Sequence, residues 1–145
     1  MPPRLSPYPS AEAVEEAFYD AMQKGDLTAM MALWADDEEV VCVHPNGQRL
    51  VGLEAVRASF ESIFGAGSIA VHVRSVRSHA GALIAVHNLV EQIRVEGRGG
   101  SSTVECVATN VYVKGPYGWR ILVHHASPLE SGDPAASVPV GAILH

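Results

Sequence analysis

The sequence predicts an α+β fold: a cone-shaped roll in which a curved antiparallel sheet packs against three N-terminal helices. Three observations carry this expectation. Apolar residues recur at helical spacing in the first part of the chain, and from Ile69 to Ala126 the pattern changes to that of strands. Between them, Met30 to Phe64 compresses a helix end, an acidic turn, a short strand, a Gly-marked turn and an amphipathic helix into one continuous stretch.

Ser10 caps a first helix whose apolar positions Val14, Ala17, Phe18, Ala21 and Met22 form one stripe, with Glu12, Glu15 and Glu16 near its positive end. Gly25 stops it. Asp26 caps a second helix carrying Leu27, Met30, Met31 and Trp34, so an αα-hairpin is expected. The acidic run Asp36 to Glu39 leads into a first strand, Val40 to His44, closed by Pro45. Asn46-Gly47 provides turn chemistry and Gln48 to Val51 a brief return strand. Gly52 then opens a third helix with Leu53, Val56, Phe60, Ile63 and Phe64 inward, and Gly65-Ala66-Gly67 terminates it. Four strands follow as an antiparallel meander: Ile69 to Val76, Leu83 to Val95, Thr103 to Lys114 and Trp119 to Ala126.

The second of these strands is apolar on both alternating faces, Leu83, Ala85, Leu89 and Ile93 against Ile84, Val86 and Val90. Helices can cover only one face. The other predicts a homodimer interface or cover from the C-terminal tail, with the dimer favoured. That tail ends in an apolar group, Val138, Val140, Ile143 and Leu144. The organisation read from the chain is an extension over residues 1–9, one domain over 10–127 and a tail over 128–145.

Composition narrows the function. With 145 residues and 48% hydrophobic content, the chain can bury one real core. A formal charge of -6 without a Lys/Arg cluster argues against nucleic acid. The apolar runs are too short to span a membrane, and the segment MPPRLSPYPS lacks a signal-peptide core, so the expected setting is cytoplasmic. Cys42 and Cys106 sit in strand-like runs and read as buried free thiols.

The element order, together with LWADD, HPNG, the Gly52-x-x-Ala55-Val56 helix start and the closing GWRILVHHASP, resembles the nuclear transport factor 2 (NTF2)-like superfamily over residues 10–127. The pattern is most similar to its SnoaL-like and ketosteroid-isomerase-like branch, and the end is also similar to the association domain of calcium/calmodulin-dependent kinase II. The resemblance implies an NTF2-like cone with a pocket, and a superfamily that contains isomerases, cyclases, dehydratases and noncatalytic assembly modules. Against the ketosteroid isomerase pattern this sequence departs at three positions. His44 stands where a general-base Asp would precede Pro, Phe18, beside Tyr19, where an oxyanion Tyr is expected, and Asn110 where its partner acid is expected. A steroid isomerase with the usual residues is therefore not expected.

His44, at the end of the first strand, is the candidate base, because an imidazole titrates at about 6.5 and can take a proton from a carbon acid. His124 and His125 are adjacent, so strand alternation sends only one of them inward. Parity does not decide which, and His124 is taken as the candidate. His87 and Glu91 share one face of the long strand, either the inner or the outer one. Asn110 and Tyr112 share a face with Cys106 and Ala108 and can donate to a developing oxyanion. Phe18, Trp34 and Phe60 form an aromatic lid that is first core and second ligand wall. For each polar residue the competing role is a satisfied structural hydrogen bond. No HxH or HExxH spacing supports a metal site, and no cofactor is expected. The leading reading is a homodimer that binds a small apolar molecule and acts on it by cofactor-free proton transfer, as an isomerase, cyclase or dehydratase. The alternative is a noncatalytic ligand-binding, ligand-sensing or assembly module.

Overall fold

Residues 8–67, 69–97 and 99–129 are described by the computed structural model. Helix α1, Ala11–Lys24, starts at Ser10, whose side chain accepts from the Ala13 amide at 3.1 Å, and buries Val14, Phe18 and Ala21. Gly25 closes it at φ 64°, a left-handed conformation open to glycine at little cost, and its N–H meets the last free carbonyls. Helix α2, Leu27–Ala32, is shorter than its apolar stripe predicts. The chain leaves it at Leu33 because the backbone of residues 33–35 bonds to β6 instead. Ile121 N–H donates to the Leu33 carbonyl and Ala35 N–H to the Ile121 carbonyl, both at 2.8 Å. Trp34 thus sits past the helix end, pinned to the sheet by a bridge to Ile121.

Strands β1, Val41–Val43, and β2, Arg49–Val51, form the predicted short pair, and α3, Leu53–Ala66, buries Val56 and Phe60. The meander follows as β3, Ile69–Ala80, β4, Ile84–Gly97, β5, Gly100–Gly115, and β6, Gly118–Leu129. The six strands lie in the order β2-β1-β6-β5-β4-β3. One pairing departs from the antiparallel expectation: β1 runs parallel to β6. A long crossover containing α3 and the whole meander separates these strands, which permits the parallel direction. The result is a mixed, curved, unclosed sheet with three helices on one face, the α+β cone the sequence predicts.

Alternation then sorts side chains. Ala85, His87, Leu89 and Glu91 on β4, and Cys106, Ala108, Asn110 and Tyr112 on β5, are buried under the helices. Val86, Val90, Val107, Val111 and Val123 occupy the opposite face and remain partly exposed. On β6 the register slips: Val111 pairs with Val123 but Tyr112 with Ile121, leaving Leu122 as an extra residue. The bulge resets the parity, so Ile121 and His124 both point inward and His125 points out. The N-terminal extension up to Pro7 and the apolar tail group Val138 to Leu144 lie outside the described residues. Among the described residues no helix is long and apolar enough to cross a membrane.

Candidate functional site

The interior of the cone is unusually polar. His87, Glu91, Asn110 and His124 are 1%, 2%, 0% and 2% exposed, each brought in by strand alternation. Their partners come from α1, where Glu15 and Tyr19, four residues apart, share a face with Phe18 next to them. Two hydrogen-bonded groups result.

In the first group, Tyr19 donates its phenolic hydrogen to Glu91 Oε2 at 2.6 Å and accepts from Asn110 Nδ2 at 3.1 Å. Asn110 Oδ1 faces His124 Nδ1 at 2.6 Å. Because the amide nitrogen is committed to Tyr19, Oδ1 must accept, and His124 Nδ1 carries the hydrogen. The lone pair of His124 is therefore on Nε2, which lies 3.9 Å from Glu91 Oε2. The chain runs in one direction, from imidazole through amide and phenol to carboxylate. Burial, reinforced by the nearby His44 and His125, lowers the His124 pKa to about 3, so this ring is neutral. Burial raises Glu91, while the Tyr19 hydrogen bond pulls it down.

In the second group, Glu15 Oε1 accepts from Tyr112 at 3.2 Å and meets His87 Nδ1 at 2.6 Å, while Glu12 lies 3.6 Å from His87 Nε2. Asn110 also stands by the Tyr112 oxygen and favours its ionised form, but burial, the larger effect, and the charge of Glu15 push that phenol well above its ordinary range. Tyr112 thus has its single hydrogen directed at Glu15.

His44 turns inward and is half-buried, its ring edge-on to Phe60 at 4.9 Å and 6.4 Å from the His124 ring. Ser59 on α3 donates to the Val56 carbonyl at 2.7 Å, so its oxygen accepts from His44 Nε2 at 3.0 Å. The lone pair of His44 is then on Nδ1. Burial lowers the His44 pKa, so the free base prevails at neutral pH. Cys42 lies 3.5 Å from Nε2, but burial pushes its thiol up to about 12, which removes it as a nucleophile. Phe18, Trp34 and Phe60 close around the two imidazoles, with Phe18 4.9 Å from the His124 ring and Trp34 6.4 Å from both phenylalanines.

All nine residues singled out from the sequence therefore reach the interior. His44, His124, Phe18, Trp34 and Phe60 form one cluster, which Asn110 and Glu91 join through hydrogen bonds, while His87 and Tyr112 sit apart with Glu15. The sequence reading passed over Glu15, Tyr19 and Ser59. Glu15 was assigned to the helix dipole; the signal for a second role was its spacing of four from Tyr19 on a stripe that also carries Phe18. Ser59 left no such signal.

Two surface clefts stand out among the described residues. One, of about 740 Å³ between α1 and β3, has Tyr19 on its wall together with Glu12, Glu15 and His72. The other, of about 300 Å³, is a dish on the outer sheet face bounded by Asn88, Val107, Thr109 and His125. His44 lines neither, so the α1–β3 cleft meets the buried chain at Tyr19. Among the described residues no three His, Cys, Asp or Glu side chains converge as a metal site.

The geometry has counterparts among known proteins. A provisionally assigned calcium/calmodulin-dependent protein kinase type II association domain from Thiobacillus denitrificans is 38% identical, with 87% of this chain and 100% of that chain covered and a TM-score of 0.78. A provisionally assigned dehydratase of the NTF2-like family from Streptomyces avermitilis is 29% identical, over 83% of this chain and 94% of that one, at a TM-score of 0.77. An NTF2-like superfamily protein from Salmonella enterica, 19% identical over 81% and 87% of the two chains at a TM-score of 0.73, shares the fold. No match was found among curated proteins. The model of the SnoaL-like domain matches residues 11–131, from the first residue of α1 to just past the end of β6, and the chain accordingly belongs to the SnoaL-like branch of the NTF2-like superfamily.

Proposed function

We propose that this chain binds a small, mostly apolar molecule inside the cone and acts on it by cofactor-free proton transfer, as an isomerase, cyclase or dehydratase. The observation that carries the reading is the closeness of two neutral imidazoles: the His44 and His124 rings lie 6.4 Å apart beside Phe60 and Phe18, with the buried Glu91 carboxylate 3.9 Å from His124 Nε2. Networks that serve folding alone tend to satisfy their members, whereas this one holds two bases in fixed tautomers. His44 Nδ1 takes a proton from carbon: the C–H bond breaks, N–H forms, and the electron pair moves onto the carbonyl oxygen as an enolate. Returning that proton to another carbon isomerises the substrate. Ser59 holds the imidazole in place, and Asn110 acts as a positioning residue, since its amide is turned to Tyr19 and His124. Phe18, Trp34 and Phe60 form the wall, and the α1–β3 cleft beside Tyr19 is the approach.

Hydrogen–deuterium exchange tests this without knowledge of the substrate. In D₂O the protein is expected to exchange the α-hydrogens of small ketones such as cyclohexanone, acetophenone and 1-indanone faster than buffer, followed by NMR. His44→Ala should return the rate to that of buffer with an unchanged circular dichroism spectrum; exchange that survives the substitution overturns the mechanism.

A second reading, an assembly module, is favoured by the partly exposed apolar outer face of β4, β5 and β6 and by the name of the 38% identical relative. It uses the other side of the sheet and is compatible with the first.

A further inference from the structure

The buried hydrogen-bond chain and the larger cleft share one wall. Phe18, Trp34, Phe60, Glu91, Asn110 and His124 are at most 4% exposed and line neither cleft, so the folded cone is closed over His124. The cleft between α1 and β3, of about 740 Å³, has the size of a small-molecule site. Of the four residues in the chain His124, Asn110, Tyr19 and Glu91, Tyr19 alone lines it. Its hydroxyl is turned inward, donating to Glu91 Oε2 at 2.6 Å and accepting from Asn110 Nδ2 at 3.1 Å, so the cleft meets the ring. Strand register sets Glu91 beside Val73, which lines the same cleft from the β3 side. Behind Tyr19 the Glu91 carboxylate lies 3.9 Å from His124 Nε2, and the His124 ring 6.4 Å from that of His44.

We infer that Tyr19 is the gate of the cone and the residue that selects molecules by size. When its hydroxyl leaves Glu91 and the ring swings into the cleft, the volume the ring held joins the cleft to His124 and His44. The side chain that moves is itself the space that opens, so no cavity is needed in the closed state. The inference rests on the reading above, in which His44 acts inside the cone, and adds the residue that governs entry. A gate scales the apparent rate by the fraction of molecules that are open, so weakening the latch raises the rate until opening ceases to limit it. The latch is a hydrogen bond to a carboxylate, the stronger kind, and its loss moves that fraction measurably.

The test follows α-hydrogen exchange in D₂O for cyclohexanone and for the larger 1-indanone, with the full chain and two variants. Tyr19→Phe keeps the ring and cuts the latch, and should raise kcat/KM for both ketones about tenfold. Tyr19→Ala removes the ring as well, and should raise the 1-indanone rate more than the cyclohexanone rate. A residue that only supported the fold would lower both rates and leave their ratio alone. Variant rates at or below wild type, or an unmoved ratio in Tyr19→Ala, overturn the gate and leave the His44 reading standing. Exchange at the buffer rate in wild type and in both variants removes the reading and the gate together, whereas exchange that emerges only in the variants supports both. Should Tyr19→Ala fail to fold, the direction of the change in Tyr19→Phe decides.

Discussion

A neutral histidine buried under a helix makes the stability of this domain depend on acid in a defined way. The folded state keeps His124 neutral down to about pH 3, whereas an unfolded chain protonates its histidines at about 6.5. Between these values the unfolded state binds more protons, so stability is complete above about pH 6.5 and is lost as pH falls toward 3. The loss attributable to His124 is on the order of 5 kcal/mol. His44, also lowered by burial, adds to it with the same sign, and Glu91, raised by burial, opposes it by gaining stability as its carboxylate takes a proton. Urea unfolding at a series of pH values should therefore show a midpoint that drops steeply below pH 6.5. His124→Gln should flatten that slope, and an unchanged slope would assign the acid sensitivity elsewhere. The same histidine shows how far single residues could be read in advance: its chemistry was evident from the sequence, but its tautomer follows from Asn110, fourteen positions away, which no local pattern links to it.

At the level of elements, the decisive feature is the bulge in β6. Leu122 is the surplus residue, and without it the strand would alternate cleanly from Ile121, inward, through Val123, outward, to His124, inward. Deleting Leu122 should thus leave the same imidazole in the cone. The expected outcome is a folded variant with a cooperative melt and a wild-type His124 ¹⁵N resonance; a molten or aggregated product would mean that the bulge itself, and not the parity it sets, is what the fold requires. The helices were more legible than this strand. Ser10, Gly25, Asp26 and Gly52 act locally at their ends and fall where capping rules place them. The exception is α2, which stops before Trp34 because a partner strand distant in sequence takes up the backbone groups a longer helix would have used.

Across the whole molecule, the sheet has one face closed by helices and another that stays partly open, with Val107 and Val123 bordering a shallow dish at its centre. This asymmetry underlies the proposed homodimer, since a sheet with a row of valines on its free side gains by pairing that side with its equivalent in a second copy. Sedimentation equilibrium should give twice the chain mass of 15.4 kDa. Val107→Lys should shift the species toward the monomer while the α-hydrogen exchange of ketones persists in whatever fold remains. A wild-type monomer at micromolar concentration would remove the assembly reading and leave the interior as the only functional candidate among the described residues.

The sequence by itself determined what depends on neighbours along the chain. Helix starts and stops, the change to strand pattern at Ile69, the face shared by Asn110 and Tyr112, and the family resemblance all follow from periodicity and local backbone preference, which act over a few residues. Only the tertiary structure decided which side of β4 presents His87 and Glu91, which of two adjacent histidines enters the cone, and that β1 lies parallel to β6. It also recruited Tyr19 and Glu15 from a helix surface into the polar interior. These choices share one cause. Each is fixed by register between segments far apart in the chain, and a one-residue shift in register exchanges the two faces of a strand without any change in its local pattern.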